Sequence, residues 1–491
     1  MKLLLAIDQG TTGTTVLLLD DRARVTARGY AELPQHFPRP GWVEHRGEEI
    51  WDTTLRALRA ALRGARAERI AAIGITNQRE TAMLWDRRAL RPAAPAIVWQ
   101  DRRTAERCEA LRRAGHESWV RKRTGLRLDP YFSATKVEWL LAHDRDLRAR
   151  ARRGAIAFGT VDSWLVAKLT GGAVHATEPT NASRTLLYDI RRRRWDPELA
   201  ALFGVPEVVL PEVRPSAGDF GSTRGVPGLP DGIPIRGIAG DQQAALFGQG
   251  CVRRGGIKNT YGTGCFLMLH TGAAPTASRS GLLTTAACGP RGEPAYALEG
   301  SVFIAGAAVQ WMRDGLGIIA TSSEVEALAR SVPDAGGTVL VPAFAGLGAP
   351  WWRPDARGVW SGLTRGTTRG HLARAALESI AFQTCDVVSA MEKDARARVR
   401  ALRVDGGAAA NDLLMQTQAD LLGIPITRPA MLESTALGAA LLAGIGAGIW
   451  KDRADVPAAR SGERVFRPRM AGAERRRRLA SWRMAVERLL D

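Results

Sequence analysis

An α/β protein made of two similar halves is the fold class this sequence predicts, and three observations carry it. Residues 3–20, LLLAIDQGTTGTTVLLLD, read as two apolar β-rich runs joined by a tight Gly/Thr turn. Residues 256–271, GIKNTYGTGCFLMLHT, repeat that device midway along the chain. Between the two turns and after them, apolar strands alternate with helically spaced segments, the pattern of sheets covered by helices. A single core seldom grows beyond roughly 250–300 residues, so 491 residues with 45% hydrophobic content suit two cores. The division is placed near Gly250, giving an N-terminal half, 1–250, and a C-terminal half, 251–491. Two such turns, one opening each half, suggest a duplicated fold gripping one phosphate chain from both sides.

The first turn has the chemistry for that. Gly10 and Gly13 let the backbone bend close to a ligand, while Thr11, Thr12, Thr14 and Thr15 add hydroxyl donors beside exposed N–H groups. Asp8, ending the first strand, would suit a hard cation such as Mg2+ held between carboxylate and phosphates. A hairpin turn in which Asp8 bonds its own backbone fits the same residues.

A third strand is expected over 25–33, and a helix over 48–63, where Ile50, Leu55, Leu58 and Leu62 recur near helical spacing. A strand over 70–76 follows and ends in NQRET, residues 77–81. The order strand, helix, strand predicts parallel pairing, and ligands of such sheets bind beyond the carboxyl ends of the strands. Arg79 and Glu80 stand at one of these ends. An adjacent cation and anion can hold neighbouring hydroxyls of a polyol, or can form a solvated surface pair. Further elements are a strand over 96–99, a helix through Leu111, a turn and helix over 129–141, and a strand and helix over 155–170. Tyr131 suits either a core or a ligand wall. Residues 206–234 are rich in Pro and Gly and read as loop. Asp241 follows a strand over 235–239 and opens a helix, as an N-cap or as a proton acceptor above the sheet.

In the second half a helix is expected over 302–313, carrying Gly306 and Gln310. A strand over 337–344, a long helix over 372–392 and a strand over 402–405 follow, the last ending in DGGAAAN. Gly406, Gly407 and Ala408 would admit a flat base or ribose, with Asn411 able to hydrogen-bond it; a plain strand-to-helix turn fits equally. Residues 436–450 are apolar and rich in Gly and Ala. They fall short of the roughly 20 residues that span a bilayer, so they read as a buried helix.

Charge and cysteines exclude little but orient the reading. The net charge of +19 is almost wholly arginine, since only seven lysines occur, and the arginines are dispersed. Such an excess favours anionic ligands over a nucleic-acid groove. Five scattered cysteines without a CxxC pair suggest a reducing compartment. The first strand begins at once, without a leader pattern, so a cytoplasmic protein without membrane span is expected. No GxxxxGK[ST] occurs, which removes Walker-type nucleotidases.

Taken together, DQGTTG, NQRET, WQDRRT, DPYFSATKVEW, GIAGDQQAALFGQ, GTGCF, EGSVFIAGAAVQWMRD, FAGLGAPWW, GLTRGT, VDGGAAAND and ESTALGAA make the chain resemble the FGGY carbohydrate kinases, within the actin/Hsp70/sugar-kinase superfamily. The resemblance implies two duplicated actin-like (ribonuclease H-like) domains, with mixed sheets flanked by helices and an active-site cleft between them. It implies ATP-dependent phosphorylation of glycerol, NQRET standing where pentulose kinases of the family carry a Ser-Gly-Gln-Met-like segment; erythritol or a pentulose such as xylulose is the alternative substrate. By the same resemblance Arg79, Glu80, Tyr131, Asp241 and Gln242 hold the polyol, Trp99 and Phe266 wall its pocket, and Asp241 is the general base. Thr11, Thr12 and Gly13 form the first phosphate loop and Thr263 the second. Gly306, Gln310, Gly407 and Asn411 contact the nucleotide, and Asp8 acts on Mg2+. A homo-oligomer, as a dimer, is also implied. One departure stands out: many family members read DQGTTSSRA at the first loop, so a phosphate-contacting arginine is replaced here by Thr15.

Overall fold

The computed structural model describes residues 2–353, 355–431, 433–457 and 462–490. In the first half, β1 (Leu3–Gln9), β2 (Gly13–Asp20) and β3 (Val25–Glu32) form an antiparallel meander. Helix α1 (Gly47–Ala61) leads to β4 (Ile70–Asn77), which lies parallel to β1. Helices α2 (Ser133–His143) and α3 (Val161–Leu169) precede β5 (Ile235–Gly240), parallel to β4 and followed directly by α4 (Asp241–Gly248). The sheet order is β5-β4-β1-β2-β3.

The second half repeats the plan. Strands β6 (Ile257–Tyr261) and β7 (Cys265–Gly272) form the hairpin, with β8 (Leu283–Ala286) and β9 (Tyr296–Val302) added antiparallel beyond β7. After α5 (Gly306–Asp314) and the long α6 (Arg369–Ala395), β10 (Leu402–Asp405) pairs parallel with β6. Helix α7 (Asp412–Leu422), β11 (Ile426–Arg428), α8 (Ser434–Gly446), β12 (Arg464–Phe466) and α9 (Gly472–Leu490) complete the chain, and the sheet runs β8-β9-β7-β6-β10-β11-β12. Hairpin, third antiparallel strand and parallel crossover recur in the same spatial order, so both sheets are mixed and the α/β duplication holds.

The first sheet is covered on one face by α1 and α3, through Ile50, Leu58, Trp164 and Leu165. Its other face is covered by α4 and α8, where Ala439, Leu441 and Ala443 meet Leu4, Ala6 and Leu17. Helix α8 comes from the second half of the sequence. The strands on either side of Gly250 lie in separate sheets, while this one C-terminal helix returns to seal the N-terminal sheet. The second sheet packs on α5, α6, α7 and α9, with Trp482 stacked on Phe382 at 5.3 Å.

Several boundaries differ from expectation for physical reasons. The helix expected over 302–313 begins only at Gly306, because 296–302 are held in the ladder with β7. Of 96–99 only Ala96–Ile97 is strand, and it pairs with Glu44–His45 outside the main sheet. The strand expected over 337–344 shrinks to Val339–Val341, paired with Val359–Ser361 in a ribbon of its own. The apolar run at 436–450 is helical as α8 only to Gly446. Among the described residues no helix is long and apolar enough to cross a membrane. All five cysteines are buried and unpaired.

Candidate functional site

Strand β4 ends at Asn77, and the chain then turns sharply enough to put Glu80 at φ 59°. That left-handed backbone costs a non-glycine residue of order 1–3 kcal/mol, and it is clamped by Ser133 Oγ donating to the Glu80 carbonyl at 2.9 Å. Because β5 pairs in parallel with β4, Gly240 opposite Asn77, the residue after it, Asp241, emerges beside this turn. The structure thus gathers Arg79, Glu80, Tyr131, Asp241 and Gln242 at one end of the first sheet.

Arg79 and Glu80 are no surface pair: both side chains are 2% exposed. The Arg79 Nη1 donates to Glu299 Oε2 at 2.6 Å and to Gln243 Oε1 at 3.2 Å. Its Nη2 donates to Glu299 Oε1 at 3.1 Å and reaches Tyr131 Oη at 3.5 Å, while Nε lies 3.1 Å from Asp241 Oδ1. All the donor nitrogens of Arg79 are therefore engaged by protein. Glu80 accepts from Arg184 Nε at 2.6 Å, and Arg184 Nη2 also reaches Glu299 at 3.0 Å. Burial would raise the Glu299 carboxyl, but the guanidiniums of Arg184 and Arg79 prevail and hold it at about 2. Burial likewise pushes Glu80 up, against the pull of Arg184 and Arg79. It also raises the Tyr131 phenol.

Asp241 is not the cap of its helix. Gly240 occupies the cap position, and the Asp241 carboxylate accepts from the N–H of Gln242 at 2.6 Å, with its side chain 29% exposed. Gln242 is tied to the second half, its Oε1 accepting from the buried ammonium of Lys258, which also donates to Thr260 Oγ1 at 2.7 Å. Trp99 packs edge-on to Tyr131 at 5.6 Å and donates its indole N–H to Thr11 Oγ1 at 2.9 Å, so it joins the predicted polyol pocket to the first phosphate loop. Phe266 lies opposite Thr260 and Ser301 in the ladders, and Met268, two residues on, lies opposite Lys258 and Glu299. Paired residues share a sheet face. Phe266 therefore lies on the face that carries Lys258 and Glu299 toward the first half.

The two Gly/Thr turns stand at corresponding ends of the two sheets. In the first, Gly10 N–H bonds the Gly13 carbonyl at 2.9 Å and Thr12 is exposed. Tyr30 packs so closely that a side chain at Gly13 would meet it at 2.5 Å. Thr14 does not belong to a phosphate-facing set, because it is buried against Thr53 of α1 at 3.1 Å. In the second, Gly262 N–H bonds the Gly264 carbonyl at 2.8 Å, and the first turn of α5 is pinned to it by Gly306 N–H to Gly262 O at 3.0 Å and Ala307 N–H to Thr263 O at 3.1 Å. Gln310, four residues after Gly306 and hence on the same helix face, is exposed. Beyond β10, Gly407 is exposed, and a methyl group added to it would meet no atom within 4 Å. Asn411 has a structural duty: its Oδ1 caps α7 by accepting Leu414 N–H at 2.8 Å.

Asp8 is the penultimate residue of β1, half-buried. Burial, then the negative charges of Asp241 and Glu433, raise its carboxyl to about 7. Among the described residues no group of three acidic, His or Cys side chains is arranged to hold a metal, so a cation at Asp8 would take its remaining oxygens from phosphates and water, as Mg2+ does.

Family models settle the broader relationship. Residues 3–248 match the N-terminal domain and residues 257–447 the C-terminal domain of the FGGY family of carbohydrate kinases. The chain belongs to that family. Relatives include a protein named glycerol kinase from Aromatoleum aromaticum, 57% identical, covering 99% of this chain and 99% of its own length. Another of that name, from Dechloromonas aromatica, is 56% identical, covering 99% and 97%. Among solved structures, Plasmodium falciparum glycerol kinase with ADP superposes with a TM-score of 0.95 at 36% identity, covering 100% of this chain and 99% of that one.

Arg184, Gln243, Lys258 and Glu299 escaped the sequence reading. A lone Glu inside the apolar strand YALEGSV and a lone Lys inside IKNTY are signals, since a buried charge in a strand demands a partner. Arg184, in a turn, carries no such signal.

A pH dependence follows from Glu299. Its folded value of about 2 lies below the ordinary glutamate value of about 4.3, so its contribution is fully present above about 4.3 and is lost as pH falls toward 2. The stability difference between wild type and Glu299→Gln, measured by urea unfolding, is expected to be constant from pH 7 to 5 and to narrow below about 4.3. A difference that widened on acidification would contradict the assignment.

Proposed function

We propose that this protein transfers the γ-phosphoryl group of ATP to a terminal hydroxyl of glycerol, giving sn-glycerol 3-phosphate. The observation that carries the reading is the placement of Asp241 beside Arg79, which also meets Glu80 and Tyr131, at the end of the first sheet where the first Gly/Thr turn lies. The names of the full-length relatives point the same way.

Phosphoryl transfer asks little covalent chemistry of a protein and depends on alignment and charge neutralisation. Asp241 takes the proton of the terminal hydroxyl as that oxygen attacks the γ-phosphorus in line, and the bond to the β–γ bridging oxygen breaks to release ADP. Thr11, Thr12, Gly13 and Thr263 hold phosphates through hydroxyl and backbone donors; Gly306, Gln310, Gly407 and Asn411 form the nucleotide wall. Mg2+ at Asp8 would neutralise phosphate charge. Trp99 and Phe266 keep the pocket apolar around the carbon chain. Closure of the halves about the left-handed glycines Gly250 and Gly255 excludes water, the competing acceptor.

The test is ADP release across glycerol, dihydroxyacetone, erythritol, xylulose and ribulose. Glycerol is expected to give the highest kcat/KM. A pentulose or erythritol preferred over glycerol would replace the substrate and keep the reaction.

Thr15 bears on ATP. It lies opposite Asp8 in the β1–β2 ladder and shares its face, half-buried. A guanidinium there would reach phosphate oxygens that a hydroxyl cannot fork. Thr15→Arg is expected to lower the ATP KM by about threefold to tenfold, discounted for partial solvent screening. An unchanged ATP KM would mean that another donor already serves that phosphate.

A further inference from the structure

The charge cluster behind the polyol pocket is shared between the halves. Arg79, Glu80 and Arg184 belong to the first; Glu299 arrives on β9 from the second, and its side chain is fully buried. Glu299 occupies the terminal nitrogens of Arg79 with both carboxylate oxygens, at 2.6 and 3.1 Å. That leaves only Nε facing Asp241, at 3.1 Å. Arg184, whose guanidinium lies over the Tyr131 and Phe132 rings at 5.5 and 5.3 Å, bridges Glu299 to Glu80. Among the described residues its Nη1 is buried without a hydrogen-bond partner.

An arginine prefers to grip a carboxylate with two parallel N–H bonds. With Glu299 absent or uncharged, the carboxylate nearest the Arg79 guanidinium is that of Asp241, 3.1 Å from Nε against 3.8 Å for Glu80. A two-pronged grip there would engage the oxygen that must accept the substrate proton. With Arg184 shortened, Glu80 would lose the contact that fixes its carboxylate, although its backbone stays clamped by Ser133. The two partners therefore serve different atoms of the pocket.

We propose that Glu299 and Arg184 are positioning residues for the phosphoryl acceptor: Glu299 holds the fork of Arg79 off Asp241, and Arg184 fixes Glu80 for the polyol. Because Glu299 is delivered by the second half, the acceptor site is complete only when both halves are seated. The inference rests on the kinase reading above and adds two residues to it.

The experiment compares wild type, Glu299→Gln, Glu299→Asp and Arg184→Lys, each measured for kcat, glycerol KM, ATP KM and melting temperature. Glu299→Gln keeps the shape but loses the charge, and is expected to lower kcat at saturating glycerol by about tenfold or more, with ATP KM within about twofold, since among the described residues the hydrogen bonds and ion pairs of Glu299 go to Arg79 and Arg184 and not to either phosphate loop. Glu299→Asp keeps the charge and is expected to recover much of that kcat. Arg184→Lys is expected to raise glycerol KM more than it lowers kcat. A purely structural role would lower the melting temperature, leave kcat per folded molecule near wild type and make no distinction between Gln and Asp; that result overturns the inference. If Glu299→Gln does not fold, Glu299→Asp and Arg184→Lys decide it by the same split between kcat and KM. A wild type inactive on every polyol overturns the kinase reading and this inference with it; an active wild type matched by Glu299→Gln overturns the inference alone.

Discussion

Asp241→Asn is expected to lower kcat by about 10²–10⁴-fold, the usual cost of removing a positioned general base, or roughly 3–5 kcal/mol of transition-state stabilisation. Asparagine keeps the size, and its carbonyl oxygen can still accept the Gln242 N–H that Asp241 accepts at 2.6 Å. The cap of α4 is supplied by Gly240, so the substitution removes no capping side chain. What it removes is the charge facing Arg79 Nε and the capacity to take a proton. The melting temperature is expected to stay close to wild type, ATP affinity to be unchanged, and glycerol KM to rise modestly through one lost acceptor. The check is kcat set against melting temperature for both proteins. Turnover within about threefold of wild type would demote Asp241 and send the search for a base to Asp8, whose carboxyl is raised in part by the Asp241 charge.

Much of this site was legible in the sequence, because the residues that make it lie where strands end. Gln9, Asn77, Gly240 and Tyr261 close β1, β4, β5 and β6, and each is followed at once by a turn or helix that holds predicted site residues. A period-two apolar run that stops at a polar segment marks such an end without any knowledge of tertiary structure. The partners of those residues were not legible. Glu299 reaches Arg79 across 220 positions of sequence, and Lys258 reaches Gln242 only once the halves are docked. The short ribbons at 96–97 and 339–341 were overestimated, since apolar runs of that length do not reveal whether a partner strand continues alongside them. Asn411 illustrates the opposite case, where a side chain read as a ligand contact also proves to be a helix cap.

The return of α8 to the first sheet was the least legible feature of the fold, and it leads to a large effect on both stability and activity. Helix α8 crosses the sheet and α4 almost backbone to backbone. A methyl group at Gly438 would stand 1.9 Å from the Ala244 carbonyl oxygen, one at Gly248 2.3 Å from Ser434 O, and one at Gly74 2.1 Å from Ala439 O. The atoms in the way are backbone, so no rotamer change relieves the clash and the helix has to move. Gly438→Ala gains about 1 kcal/mol in helix propensity, while overpacking a tight interface costs about 1–3 kcal/mol and occasionally more. With a main-chain contact this short, the packing cost is expected to win, and the urea midpoint to fall. Helix α4 begins with Asp241, so the same displacement carries the base away from the acceptor, and a misplacement of about 1 Å can cost about 10²-fold in rate. Gly438→Ala is therefore expected to lose turnover out of proportion to its stability loss, with the remaining folded protein slow. Gly366→Ala, in an exposed loop with its nearest neighbour a side-chain oxygen at 3.8 Å, is the control and is expected to match wild type in both measurements. A Gly438→Ala protein as stable and as fast as wild type would show that α8 can slide on α4, and that the close crossing does not set the position of Asp241.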